Sequence, residues 1–87
     1  MRYMTAWTIR PENMKASIKR FMEENPQTPG VKIISRMHVL GAGMGFTVWE
    51  SDDPLAAAKE GLQWSDLIDL KVYPVVDDAI IAKALAK

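Results

Sequence analysis

The chain of 87 residues contains no cysteine and only one histidine. Without cysteine there is no disulfide, no thiolate nucleophile and no cysteine-based zinc site. The single histidine, His38, is not accompanied by carboxylates at the spacing of metal ligands, so we expect no metal site and no cofactor. The lack of cysteine fits a protein kept in a reducing cytoplasm.

An excess of one charge sign and a long apolar run are missing too. Eleven basic residues balance eleven acidic ones, and the basic residues are scattered, which argues against nucleic-acid binding. No apolar run approaches the roughly 20 residues of a membrane span. The N-terminal residues also lack the basic start and apolar stretch of a signal peptide. We therefore expect a soluble cytoplasmic protein that binds neither nucleic acid nor membrane.

The length predicts one domain over residues 1–87. A domain of this size buries only about 60–65% of the surface of its unfolded chain, so its core is marginal. Association would add buried surface. We therefore expect a homodimer.

The spacing of apolar residues predicts four strands and three helices in the order βαββαβα. Period-two alternation predicts strands over residues 3–9, 31–40, 44–49 and 68–76. Pro74 cannot donate to a strand ladder, so the fourth strand is predicted to lie at a sheet edge or to be kinked there. The order is that of an α+β, ferredoxin-like domain, an antiparallel sheet with both helices on one face, followed by a short C-terminal helix.

Proline and acidic residues mark the predicted helix starts at Pro11, Pro54 and Asp77–Asp78. Apolar residues at helical spacing predict which side of each helix faces the sheet. These predicted inner stripes are Met14, Ile18, Phe21 and Met22 in the first helix, and Leu55, Ala58 and Leu62 in the second.

Three glycines, Gly41, Gly43 and Gly45, lie between the second and third predicted strands. A dinucleotide-binding fingerprint needs a helix after its glycines, and here a strand follows. We interpret the segment as a tight hairpin that needs positive φ angles.

One side of the strand alternation is rich in aromatic and polar residues, and the other in Met, Ala, Ile, Phe and Val. We expect the aromatic side to be the open face of the sheet, where it lines a cleft for a small organic ligand or is buried in a homodimer. The candidate ligand-binding residues on this side are Trp7, Arg36, His38, Trp49 and Tyr73.

Three functions are compatible with these residues. The first is a small-molecule binding protein, with Arg36 as the anchor for a carboxylate or phosphate. The second is a cofactor-independent enzyme in which His38, the candidate catalytic residue, moves a proton. The third is a structural interaction module whose aromatic face is all interface. For His38 itself, a structural hydrogen bond across an interface is the competing interpretation.

Several strings of the chain resemble a family described as a domain of unknown function, DUF3303. They are W-T-I-R-P-E-N from Trp7 to Asn13, L-Q-W-S-D-L-I-D-L from Leu62 to Leu70, and P-V-V-D-D from Pro74 to Asp78. This resemblance covers nearly the whole chain and implies no catalytic residue.

On fold analogy alone, the chain is also similar to the dimeric α/β-barrel proteins. These pair two ferredoxin-like sheets face to face and include monooxygenases, lactone isomerases, haem-degrading enzymes and stress-response proteins. This looser resemblance implies a homodimer formed through the sheet, with a cleft on its open face.

Overall fold

The computed structural model describes residues 1–86 and has the predicted order of elements. The strands are β1 (Arg2–Ile9), β2 (Lys32–Val39), β3 (Met44–Glu50) and β4 (Ile68–Val75). The first helical segment starts as a 3₁₀ turn over Pro11–Asn13, continues as helix α1 (Met14–Lys19) and ends in π-helical geometry over Arg20–Glu24. The other helices are α2 (Pro54–Trp64) and α3 (Asp78–Leu85).

The four strands form one antiparallel sheet in the order β2-β3-β1-β4. This order is compatible with the ferredoxin-like fold and confirms the predicted α+β class. β4 is an edge strand, as Pro74 predicted, and Pro74 lies opposite Tyr3 of β1. Pro54 stands at the first position of α2 after the cap Asp53, and Asp77 caps α3.

The helices cover the face of the sheet that we expected to be open. On this helix-covered face, Trp7 and Trp49 are each 2% exposed, and Trp7 packs with Phe21 and with Trp64 of α2 in the core. Thr5, Arg36, His38 and Thr47 belong to the same face, because Thr5 pairs with Thr47, Thr47 with Arg36, and Gly45 with both Trp7 and His38. Only Tyr73, which pairs with Met4, lies on the open face. The predicted location of the aromatic cleft is therefore wrong.

Hydrogen bonding explains why the tryptophans can be buried. The indole Nε1 of Trp7 donates to Oγ1 of Thr47 across 3.1 Å, and the indole Nε1 of Trp49 donates to Oγ1 of Thr5 across 2.8 Å. Each strand thus supplies a threonine that accepts from the tryptophan of its neighbour. With the polar N–H groups satisfied, burial of the large rings stabilises the fold without leaving an unpaired donor.

A bulge in β2 changes the predicted alternation of that strand. Ile33 pairs with Trp49, but the next pair joins Ser35 to Val48, so Ile34 is extra. The bulge puts Ile33 on the same face as Arg36, whereas strict alternation had placed the two on opposite faces.

Both predicted inner stripes of the helices are largely wrong. Phe21 is buried, but Met22 is 72% exposed and the fully buried residue of α1 is Ser17. In α2, Leu55 and Leu62 are exposed, while Ala56 and Trp64 are buried. The large sheet residues Trp7 and Trp49 occupy the space between the layers, so small or aromatic residues face them in preference to the leucines.

The glycine-rich segment forms the predicted hairpin between β2 and β3. Gly41 and Gly43 have φ angles of +76° and +59°, which glycine adopts without steric cost. In the described residues 1–86, no helix is long and apolar enough to cross a membrane.

Candidate functional site

Edge strand β2 brings two ionisable side chains, Arg36 and His38, over the helix-covered layer. The two residues are separated by one position, so both point to the same side of the sheet. Phe21 lies between the layers and contacts both. Its ring is 4.9 Å from the guanidinium carbon of Arg36 and 5.3 Å from the imidazole centre of His38.

Aromatic rings pack in a continuous cluster around these two side chains. Trp7 is 5.0 Å from His38 in an edge-to-face arrangement and 4.9 Å from Phe21. Phe21 stacks on Trp64 with 4.4 Å between ring centres. We call Trp7, Phe21, Arg36, His38 and Trp64 the cation–aromatic cluster.

Arg36 is the unsatisfied member of this cluster. Its guanidinium lies over the faces of Phe21 and, at 5.8 Å, of Trp64. Its Nε is buried without a hydrogen-bond partner, and within residues 1–86 it forms no ion pair. Burial lowers the pKa of Arg36, while the charge of Glu60 acts in the opposite direction. A guanidinium stays charged at neutral pH even so, so Arg36 is a partly desolvated cation without a carboxylate partner among the described residues.

A second arginine, Arg20, lies against the same tryptophan and has a carboxylate partner. Arg20 also lies over Trp64, at 5.6 Å, but it binds both carboxylate oxygens of Asp66 at 2.7 and 2.9 Å. It also donates to the main-chain oxygen of Gln63. Both arginines lie over Trp64, but only Arg20 forms an ion pair with a carboxylate of the described chain.

Glu60 forms no ion pair with Arg36 within the described residues, although its charge acts on the pKa of that arginine. The Thr28 hydroxyl lies 2.5 Å from Oε2 of Glu60 and 2.7 Å from Oε1 of Gln63. A hydroxyl has one proton, so we assign its donation to Glu60; the Gln63 amide, turned over, then donates to Thr28.

An open cleft of about 340 Å³ lies next to the cluster, between α1 and the β2–β3 hairpin. Trp7 and His38 form its sheet side, and Met14 and Ile18 of α1 form the opposite side. His38 is exposed, and within the described chain neither ring nitrogen has a hydrogen-bond partner. The cleft is thus apolar, with one free imidazole at its border.

Of the five residues predicted to bind a ligand, the structure brings three together. Trp7, Arg36 and His38 share the cation–aromatic cluster. Trp49 lies on the same face but further along the sheet, where it stacks on Tyr3 at 4.6 Å. Tyr73 lies on the opposite face.

Phe21 and Trp64, the other two members of the cluster, were not among the predicted site residues. Phe21 was predicted only as part of the apolar stripe of the first helix, and the stretch with Trp64 was used only as a string that resembles the family. The available signal was Trp64 itself, the one aromatic residue of α2, in the last turn of that helix. No group of His, Asp and Glu side chains that could hold a metal occurs in residues 1–86.

The family model of the domain of unknown function (DUF3303) matches residues 1–87. The chain belongs to this family. The match confirms the resemblance carried by the strings around Trp7, Trp64 and Pro74. Since the DUF3303 description names no activity, it transfers no role to Arg36 or His38. No significant match to a curated protein is found.

Proposed function

We propose that this DUF3303 protein is a homodimeric binding protein for a small organic anion held by Arg36. The observation that carries the proposal is the unpaired, half-buried guanidinium of Arg36 on the faces of Phe21 and Trp64. A buried charge without a partner costs folding free energy. Groups kept in such unfavourable surroundings are concentrated at functional sites.

The shape of the surroundings supports an anion with an apolar part. Guanidinium binds carboxylate or phosphate through two parallel hydrogen bonds, and stacking on Phe21 fixes its plane for this. The cleft beyond His38 has apolar walls and a volume at the small end of the range for ligand sites. In the proposed complex the anionic group binds Arg36, and the apolar part reaches past His38 into the cleft, whose lining includes His38 but not Arg36.

Tryptophan fluorescence tests this binding directly, because Trp7 borders the cleft and Trp64 lies under Arg36. The probes are benzoate, phenylacetate, hexanoate and phenyl phosphate, with benzamide and hexanol as neutral analogues. We expect at least one anion to bind more than tenfold tighter than its neutral analogue, and more weakly at high salt.

The matched variants are Arg36→Met and Lys32→Met. Both remove one positive charge from β2, but Lys32 lies on the other side of the strand, opposite Glu50. Arg36→Met should abolish the preference for anions, and Lys32→Met should preserve it. Equal affinity of all three proteins for the anions contradicts the proposed site. No response to any probe favours a pure interaction module.

A cofactor-independent enzyme is the second candidate, because the free imidazole of His38 faces the cleft. An imidazole beside a bound anion is suited to accept or donate one proton. The test is NMR observation of each anion that binds, incubated in D₂O with wild type and with His38→Gln. Exchange of a carbon-bound proton by the wild type alone supports catalysis; its absence from both leaves binding as the function.

The sheet face that the helices leave open is the proposed contact surface of the homodimer. Its centre is apolar, and Met37 and Phe46 are 65% and 38% exposed. The adjacent edge strand β4 carries Asp69 and Lys71 on the same face. Asp69 lies 3.8 Å from Arg10 of its own chain, and Asp69 and Lys71 have opposite charges, so these two edge residues add no net charge that would repel a second copy. An apolar sheet face with such a border is suited to a second copy of this chain.

Sedimentation velocity and native mass spectrometry test the dimer, with expected species at twice the 9.8 kDa chain mass. Phe46→Lys puts a charge in the centre of the open face and should give a monomer. Leu62→Lys is the control, because Leu62 is 73% exposed on α2 in the other layer. A wild type that stays monomeric at all concentrations contradicts the homodimer.

A further inference from the structure

An acidic residue of α2, Glu60, shares a helix side with the tryptophan on which Arg36 lies. Glu60 and Trp64 are four positions apart in α2, so their side chains are neighbours on that helix. The guanidinium carbon of Arg36 is 5.8 Å from the centre of the Trp64 ring. The carboxylate of Glu60 therefore lies beside the anion site proposed above, although it forms no ion pair with Arg36 within residues 1–86.

A hydrogen bond from another part of the chain holds this carboxylate. The hydroxyl of Thr28, which is buried between the first helical segment and β2, lies 2.5 Å from Oε2 of Glu60. In this arrangement the carboxylate contacts Thr28 and not Arg36. Its negative charge is still felt at the site, because it counteracts the lowering of the pKa of Arg36 by burial. An anion bound at Arg36 meets the same charge as a repulsion.

The second arginine at the site does not offset this repulsion. Arg20 is paired with Asp66 at 2.7 Å. Glu24 also acts on Arg20 and raises its pKa, so a further negative charge lies near this arginine. Arg36 is thus the one guanidinium over Trp64 without a carboxylate partner in the described chain, and the acidic residues around it leave no surplus of positive charge.

The remaining basic residues nearby are Lys32, Lys59 and His38. Lys32 is on the strand of Arg36 but on the other side of the sheet. Lys59 precedes Glu60 in α2, is exposed, and points about 100° away from it around the helix. His38 packs edge-to-face on Trp7 and Phe21, so its imidazole is the one group of the three that faces the site.

We propose that Glu60 makes the Arg36 site selective for a carboxylate with one negative charge and against a phosphate monoester with two. This inference rests on the anion-binding function proposed above and names its ligand class. A carboxylate matches the charge of a single guanidinium and offers two oxygens in one plane. A phosphate monoester carries nearly two charges at neutral pH. Its second charge has no cation of its own at Arg36 and is repelled by Glu60.

Three ligands with the same phenyl ring test the selection: benzoate, benzenesulfonate and phenyl phosphate. Their binding is measured at pH 8 by tryptophan fluorescence. Benzenesulfonate has one charge on a tetrahedral head group, so it separates charge from shape. The variant is Glu60→Gln, which keeps the side-chain shape and an oxygen that accepts from Thr28. The matched control is Glu23→Gln, which removes an exposed carboxylate beside Lys15 and Lys19 of α1.

We expect the wild type to bind benzoate and benzenesulfonate at least about tenfold tighter than phenyl phosphate. Glu60→Gln should reduce this preference at least about fivefold, and Glu23→Gln should leave it within about twofold. The effect of Glu60→Gln should be the same when His38 is also replaced by glutamine, because the imidazole is not its source.

Three results overturn the role of Glu60 and leave the anion site standing. They are phenyl phosphate binding as tightly as benzoate to the wild type, benzenesulfonate binding as weakly as phenyl phosphate, and a preference that Glu60→Gln does not change. The first two need no variant, so they decide the matter even if Glu60→Gln fails to fold. No binding of any of the three anions, or equal binding by Arg36→Met, overturns the proposed function as well.

Discussion

The indole ring of Trp7 occupies the space that a side chain at Gly45 would fill. The two residues are opposite each other on β1 and β3, and a Cβ placed on Gly45 would overlap the Trp7 ring and the main-chain oxygen of Met37. Glycine is required here by close approach, since Gly45 does not have a positive φ angle, in contrast to Gly41 and Gly43.

Gly45→Ala should therefore lower the free energy of unfolding by about 2–4 kcal/mol, because the Trp7 ring or the backbone must shift to admit the methyl group. The measurement is urea denaturation followed by tryptophan fluorescence. The control is Gly61→Ala in the interior of α2, where nothing lies within 4 Å of the added methyl group. This control should raise stability by about 0.5–1 kcal/mol. If Gly45→Ala left the free energy of unfolding unchanged, the Trp7 ring would have to move aside without cost.

The reciprocal threonine–tryptophan bonds predict a second effect on stability. Thr47→Val and Thr5→Val each preserve side-chain volume but remove the acceptor of a buried indole N–H. We expect each variant to lose about 1–3 kcal/mol, the cost of an unsatisfied buried donor. Thr8→Val, on the exposed side of β1, should be within about 0.5 kcal/mol of wild type. Wild-type stability of both core variants would mean that water replaces the threonine hydroxyls.

Arg36 and Arg20 both lie over Trp64, but their replacement by methionine should change the stability of the fold differently. Arg36→Met keeps apolar contact with Phe21 and removes a desolvated cation, so stability should stay equal or rise by about 0–2 kcal/mol. Arg20→Met breaks the bonds to Asp66 and Gln63 and should lower stability. Thermal unfolding of both variants checks this. A clear loss in Arg36→Met would reveal a structural role for Arg36 and weaken its assignment as an anion site.

The Arg20–Asp66 pair predicts part of the acid sensitivity. Hydrogen bonds from Arg20 hold the pKa of Asp66 below its ordinary value of 3.8. As pH falls, the unfolded chain takes up this proton first, so the contribution to stability is complete above about pH 5 and is lost as pH falls through the folded pKa. Asp66→Asn should therefore show a shallower decline of stability between about pH 5 and 2.

Denaturation midpoints measured across this pH range check that slope. The control is Glu23→Gln, which removes an exposed carboxylate outside the ion pairs of the described chain. It should follow the wild-type curve. An Asp66→Asn slope identical to wild type would mean that the pair also persists in the unfolded chain.

The sequence predicted the elements well and the cluster poorly, for different physical reasons. Local signals such as the cap at Asp53 and the glycines at Gly41 and Gly43 act over a few residues, so they located helix and strand ends within one or two positions. Membership of the cluster depends on contacts between Phe21, Arg36 and Trp64. These residues come from three elements distant along the chain, and no local pattern brings them together.

Alternation and capping alone determined the order βαββαβα and the α+β class, because these depend on backbone preferences, and the missing N–H of Pro74 limited β4 to an edge or a kinked strand. The covered face was decided only by tertiary packing. Both sides of the alternation carry enough apolar surface to be a core, so periodicity does not distinguish them. The side with Trp7 and Trp49 was buried because large rings fill the interlayer space and Thr47 and Thr5 satisfy their N–H groups. The methionine- and valine-rich side was thereby left open.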